Sequence, residues 1–244
     1  MGSEQSLQEK VKEIQNKYKS YEEITNRMKT AGIEAIQTII AFDFSASNGS
    51  LHSTKRENPY MHTIELLQPV LEKFDKDGKI YAYRFGCVES KSERVVPLLN
   101  EKAEFTSYNE LIEAYTEAAE TICQCGPTSF IPIINKAIEQ QKQSGLLTLC
   151  IILTDGAVQN DRQYFNDASK FPISFVGVGV GKEDFGLIEK MAAQKGKFKN
   201  FSFLKFDEIQ KLTIKEERPD QIMACAVLSE LPEQYLAMKK LKYL

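Results

Sequence analysis

The sequence has no tryptophan and only two histidines, His52 and His62. Chemistry built on histidine therefore has few places to reside. Five cysteines (Cys87, Cys123, Cys125, Cys150 and Cys225) make an odd count with no framework spacing, so a disulfide scaffold is excluded. Cys123-Gln124-Cys125 lacks the second ligand pair of a structural zinc site. Cys150 and Cys225 lie in apolar runs and read as buried thiols. No apolar run approaches the roughly 18 residues of a membrane-crossing helix. A large excess of either charge is missing too: the net charge is −3. The pI is near 5.7, and no positive field exists to collect nucleic-acid phosphates. With no leader-like stretch at the N-terminus, the expected setting is a reducing one, the cytoplasm.

What is present is a substantial apolar fraction, 42% of 244 residues, enough for a sizeable core. Isoleucines 39 and 40, flanked by Ala41 and Phe42, read as a strand buried on both faces. Further strands are expected at 80–85, 95–99, 146–153, 173–178 and 201–206. Helices are expected at 61–74, 108–123, 131–143, 161–169, 185–194, 209–212 and 219–231. Strands alternating with helices predict an α/β fold, doubly wound, with a mostly parallel central sheet and helices on both faces. The expected division is a helical N-terminal arm at 1–30, packed loosely, a main domain at 31–232 and a tail at 233–244 that folds back on the body. In the arm, Leu7, Val11, Ile14, Tyr18 and Tyr21 form a thin apolar stripe. Ser20 is a candidate N-cap with Glu23 at the capping-box position, and Gly32 ends the helix.

The first strand stops at Asp43. In open α/β sheets, ligands bind beyond the carboxyl ends of the strands. Asp43, Ser45 and Ser47 are spaced at alternate positions, so an extended loop can turn all three oxygens to one side. One anionic and two neutral oxygens suit a hard divalent cation, Mg²⁺ above all. Thr128, after Gly126-Pro127, and Asp155, after the strand at 146–153, fall in segments that share the same edge of such a sheet. The competing reading makes Asp43 a loop cap and the serines turn residues. Asp75-Lys76-Asp77-Gly78 resembles a calcium loop, but its first and twelfth positions would be Lys73 and Arg84, so it reads as a turn. Gly177-Val178-Gly179-Val180-Gly181 is not a dinucleotide fingerprint and reads as a tight strand exit.

Asp-x-Ser-x-Ser, then Gly126-Pro127-Thr128-Ser129-Phe130, then Ile-Leu-Thr-Asp-Gly, in that order, resemble the metal-ion-dependent adhesion site (MIDAS) of von Willebrand factor A (vWA) domains. The copine subgroup is the closer likeness. It is carried by Asp43-Phe44-Ser45-Ala46-Ser47-Asn48, Ser50-Leu51-His52, Asn58-Pro59-Tyr60, Phe85-Gly86, Pro172-Ile173-Ser174, Val176-Gly177-Val178-Gly179 and the run from Ala226 to Tyr235. Plant RING-type ubiquitin ligases with a copine-like domain are similar as well.

The resemblance implies a Rossmann-like vWA fold. It further implies Mg²⁺ (or Mn²⁺) bound by Ser45, Ser47 and Thr128, with Asp43 and Asp155 direct or through water. The implied partner is a protein whose carboxylate completes the shell. Copine C2 domains do not fit in the first 30 residues, and the Cys/His pairs of a RING are absent. Neither membrane binding nor ligase activity is carried over. Three functions follow: a non-enzymatic, metal-dependent protein-binding module; a phosphoryl-transfer enzyme with Asp43 as nucleophile; or a scaffold whose metal is structural. The first is favoured, because Ser45 stands where such phosphatases place a second Asp.

Overall fold

In the computed structural model, the residues described are 9, 18–56, 58–156, 161–193 and 196–244. The expected stripe positions Leu7, Val11 and Ile14 lie outside them. One sheet runs through the molecule in the order β3-β2-β1-β5-β6-β7. Its strands are β1 (Gln37–Asp43), β2 (Ile80–Phe85), β3 (Val96–Pro97), β4 (Glu104–Phe105), β5 (Thr148–Thr154), β6 (Ile173–Gly179) and β7 (Phe201–Lys205). β1, β2, β5, β6 and β7 are mutually parallel; β3 and β4 pair antiparallel with β2 at its edge. The chain passes from β1 to β2 on one side and later returns as β5 on the other, so the strand order reverses beside β1. A crevice opens at such a switch point.

Burial explains the unbroken apolar strands. Ile40 and Phe42 face one core, Ile39 and Ala41 the other. In β5, Leu149, Ile151 and Leu153 join the first core, and Cys150 and Ile152 the second. The first core is closed by α1 (Tyr21–Ala31), α2 (Pro59–Leu71), α3 (Tyr108–Thr121), α7 (Phe206–Thr213), α8 (Pro219–Leu228) and α9 (Leu231–Lys240). The second lies under α4 (Ile131–Ser144), α5 (Arg162–Ala168) and α6 (Gly186–Ala192). With both faces covered, the middles of β1 and β5 are apolar on both sides, and their buried polar residues, Gln37, Thr38, Asp43, Thr148 and Thr154, stand towards the ends.

Local signals set the helix boundaries. Ser20 Oγ accepts from Glu23 N at 3.2 Å, and Gly32, at φ +95°, ends α1. Asn58 caps α2 by accepting from Met61 N, with Pro59 in the first turn. Asp75 Oδ1 accepts from Gly78 N and Lys79 N, so Asp75–Gly78 is a turn.

Several features differ from the sequence reading, among them the short edge strand β4, which it did not expect. α1 does not lie loosely on the body: Ile24 and Met28 are wholly buried. The helix expected to end before Pro232 ends at Leu228, and a new helix, α9, begins with Pro232 in its first turn, a position that needs no N–H. α9 docks through Met238 in the core and through Tyr235 Oη, which donates to Gly32 O at 2.8 Å.

The run Gly177–Gly181 does carry the strand exit: β6 ends at Gly179, and Gly181 turns at φ +84°. Its glycines also leave room for phenylalanines, which the sequence did not show: a Cβ on Gly179 would stand 2.7 Å from both Phe185 and Phe203. Gly179→Ala should therefore cost about 1–3 kcal/mol in urea unfolding, the usual penalty of overpacking. Adding Phe203→Leu should return part of it. Wild-type stability in the single variant would mean that the rings move aside freely.

Candidate metal centre

Asp43 ends β1, is completely buried, and lies at the switch point. Both of its carboxylate oxygens accept hydrogen bonds. Ser45 N donates to Oδ1 at 2.9 Å, and Thr154 Oγ1 donates to Oδ2 at 2.6 Å. Thr154 is the last residue of β5, and its hydroxyl also accepts from Gly156 N at 3.2 Å. One threonine thus ties the end of β1 to the turn after β5. Asp155 follows it, also completely buried. Burial is the main cause that lifts the Asp43 carboxyl to about 7, the Asp155 charge adds to it, and the bonds from Thr154 and Ser45 oppose it.

Beyond Asp43 the chain turns through a short 3₁₀ segment, Ala46–Asn48, which Ser45 precedes. Ser45 is buried and Ser47 exposed, with their hydroxyl oxygens 3.0 Å apart. Asn48 Nδ2 donates to Ser45 O and Ser45 Oγ. The segment carrying Thr128 lies alongside. Cys125 bridges Ser45 in parallel register; Cys125 N donates to Phe44 O at 3.2 Å, and Ala46 N donates to Cys125 O. Thr128 itself is buried, and its Oγ1 has no hydrogen-bond partner among the described residues.

Gly86, at φ +72°, completes this edge. A Cβ there would come within 2.9 Å of Ser45 N and 3.0 Å of Asp43 Oδ1, so the approach of β2 to the loop requires glycine.

Sequence reasoning missed three residues here. Thr154 was visible only as part of Ile-Leu-Thr-Asp-Gly; a hydroxyl beside the aspartate at a strand end is the signal that could have found it. Asp161 is buried, and its Oδ2 accepts from Phe130 N at 2.5 Å and Ser129 Oγ at 3.1 Å. It pins the two residues that follow Thr128, and nothing in its spacing announced that. His52 is buried beneath Asp43, its Nε2 2.8 Å from Asp43 O.

The donor set has two carboxylates and three hydroxyls, a composition suited to Mg²⁺ or Mn²⁺ rather than zinc. Among the described residues no group of three or more His, Cys, Asp or Glu could hold a metal. The residues present fit a hard cation. Two buried carboxylates act against each other, and a buried hydroxyl, Thr128 Oγ1, lacks a partner; a cation would relieve both.

The family model described as copine matches residues 50–244, most of the chain. The chain belongs to the copine family. It is a copine-type vWA domain, as the sequence motifs imply. It is 30% identical over 244 residues to Copine family protein 2 of Caenorhabditis elegans, covering 92% of this chain and 3% of that protein. It is 29% identical over 267 residues to E3 ubiquitin-protein ligase RGLG2 of Arabidopsis thaliana, covering 98% of this chain and 57% of that one. The chain thus spans between a few percent and just over half of these relatives. Among solved structures, a von Willebrand factor type A protein from Catenulispora acidiphila aligns at TM-score 0.44 and 14% identity, over 86% of this chain and 43% of the other. The α/β assignment of this copine domain rests instead on its own parallel sheet. No helix among the described residues is long and apolar enough to cross a membrane.

Removing the Asp161 anchor should be costly. Asp161→Ala leaves Phe130 N and Ser129 Oγ without their buried acceptor, and should lose about 2 kcal/mol in urea unfolding. Asp161→Asn keeps one acceptor oxygen and should lose less. Equal stability of all three proteins would show that Asp161 anchors nothing.

Proposed function

We propose that this copine domain is a non-enzymatic protein-binding module that captures an acidic side chain of a partner through Mg²⁺ (or Mn²⁺). Asp43, Ser45, Ser47, Thr128 and Asp155 would hold the ion. The observation that carries this reading is the pair of buried carboxylates, Asp43 and Asp155, set against each other at the switch point of the sheet. When bound, the ion would supply an electrophilic centre with few charged ligands, which favours one further anion.

The residues of the chain do the rest. Thr154 and Ser45 N fix the rotamer of Asp43. Cys125 holds the Thr128 segment against the loop. Ser47 is exposed, so the oxygen cluster has a side open to solvent where a foreign carboxylate can arrive. That opening favours capture over a purely structural ion.

The phosphoryl-transfer reading is weaker. Asp43 is wholly buried, which closes it to an incoming phosphoryl group, and Ser45 stands where such enzymes place a second Asp. The ligase activity named for the plant relatives belongs to proteins of which this chain covers little more than half.

Titration calorimetry with Mg²⁺ and Mn²⁺ tests the proposal. The wild-type domain should bind, Thr128→Ala should weaken binding about tenfold or more, equivalent to about 1.4 kcal/mol, and Asp43→Asn should abolish it. Because Asp43→Asn also removes one of two repelling charges, its metal-free melting temperature should not fall far. Capture of protein partners should then disappear both in this variant and in EDTA. No binding by the wild-type domain at millimolar metal refutes the cation site.

A further inference from the structure

His52 is buried, and its ring nitrogens meet a carbonyl and a hydroxyl rather than a carboxylate, an arrangement that suits the neutral ring. A carbonyl only accepts; Nε2 therefore carries the hydrogen and donates to Asp43 O at 2.8 Å. Nδ1 is then the acceptor, and the Tyr115 hydroxyl donates to it at 2.8 Å. A longer contact from that hydroxyl, 3.3 Å to Asn58 Oδ1, competes for the same proton. With both nitrogens occupied, His52 has none left for a metal.

The ring is also sandwiched. Phe44 stacks on it at 4.2 Å and 5°, and Tyr60 at 4.2 Å and 24° on another side. Tyr60 Oη in turn donates to Asn48 Oδ1, and Asn48 donates to Ser45 O and Ser45 Oγ. His52 thus touches the loop twice. It holds the main chain of Asp43 directly, and it seats the tyrosine that steers Ser45 through Asn48. Through Tyr115 it is fixed to α3, and Asn58 beside it caps α2. The imidazole ties the loop to α3 through Tyr115 and packs on Tyr60 of α2, which reaches the loop itself through Asn48 and, at 3.4 Å, Asp43 O.

We propose that His52 is the positioning residue that holds the Asp43–Ser47 loop in the shape its oxygens need; its consequence for metal binding rests on the cation reading above. The choice of residue follows from the geometry. A phenylalanine would stack between Phe44 and Tyr60 but donate nothing. A glutamine would donate to Asp43 O but not stack. A flat ring with one donor edge and one acceptor edge stacks, donates to Asp43 O and accepts from Tyr115 together.

Two readouts test this. The first is hydrogen exchange of the metal-free domain by NMR, comparing Ser45 and Asn48 amides with Cys150 and Ile151 in β5. His52→Phe should speed exchange at Ser45 and Asn48 by about tenfold or more and leave the β5 amides unchanged. His52→Gln should lie between it and the wild type. Tyr115→Phe, which removes the outer hydrogen bond together with the longer contact to Asn58 and leaves the bond to Asp43 O, should speed the same loop amides by a smaller factor, and it remains informative if His52→Phe does not fold.

The second is calorimetry with Mg²⁺ alone, where His52→Phe should bind about 10–100-fold more weakly, the usual cost of losing an orienting neighbour. Loop amides at wild-type rates, or loop and β5 amides speeding up together, overturn the assignment. If the wild-type domain binds no Mg²⁺, the cation reading falls while the exchange data still decide the role of His52.

Discussion

Asp43 and Asp155 sit fully buried at the carboxyl ends of neighbouring parallel strands, and two like charges taken out of water repel. The folded chain tolerates this only because the surroundings supply compensating dipoles. Thr154 Oγ1 and Ser45 N point at one carboxylate, and the sheet brings them there: Phe42 pairs with Leu153 across β1 and β5, which leaves Asp43 level with Thr154. The topology is what makes the conflict possible. A strand order that reversed elsewhere would place the two aspartates at distant edges.

The same constraint accounts for otherwise unrelated residues. Gly86 is glycine because β2 passes too close to Asp43 for a side chain. Asp161 is buried because the segment after Thr128 needs an acceptor for its freed amide. His52 is buried and stacked at this place because the Asp43 carbonyl needs a donor there. Thr128 Oγ1 keeps no hydrogen-bond partner among the described residues, whereas the Asp43 and Asp161 carboxylates and the Asp43 carbonyl draw donors from other parts of the chain. That is the expected pattern for a polar cluster in a low-dielectric interior, where an unmade bond costs more than a made one contributes.

Much of this was readable in the sequence, for a physical reason. β1 and β5 are buried on both faces, so their composition is forced and their ends are sharp; Asp43 and Asp155 stand out against Ile, Leu and Phe. Caps such as Ser20, Asn58 and Gly32 carry local signals. The illegible part is the part fixed by distant neighbours. The strand exit at Gly177–Gly181 was legible, but nothing local reveals that Phe185, Phe201 and Phe203 press on Gly177 and Gly179. α9 was hidden because Pro232 reads equally as a stop and as a first turn. His52 could be noticed within Ser50-Leu51-His52, but its partners, Tyr60 and Tyr115, come from α2 and α3.

The relatives sharpen what this domain can be asked to explain. Proteins named as copines and proteins named as ubiquitin ligases both align with nearly the whole chain, while the chain covers at most part of each. Whatever those longer proteins do separately, the part they share with this chain is the sheet and its upper edge. In the reading proposed here, that edge is asymmetric by design of burial. Asp43, Ser45, Thr128 and Asp155 are enclosed, and Ser47 faces solvent. Enclosed oxygens fix the ion's place and limit exchange of water around it, whereas the open side admits a ligand from outside. A difference in partner specificity between members of such a family would then arise from the residues around Ser47, which meet the partner, rather than from the enclosed oxygens, which meet only the ion.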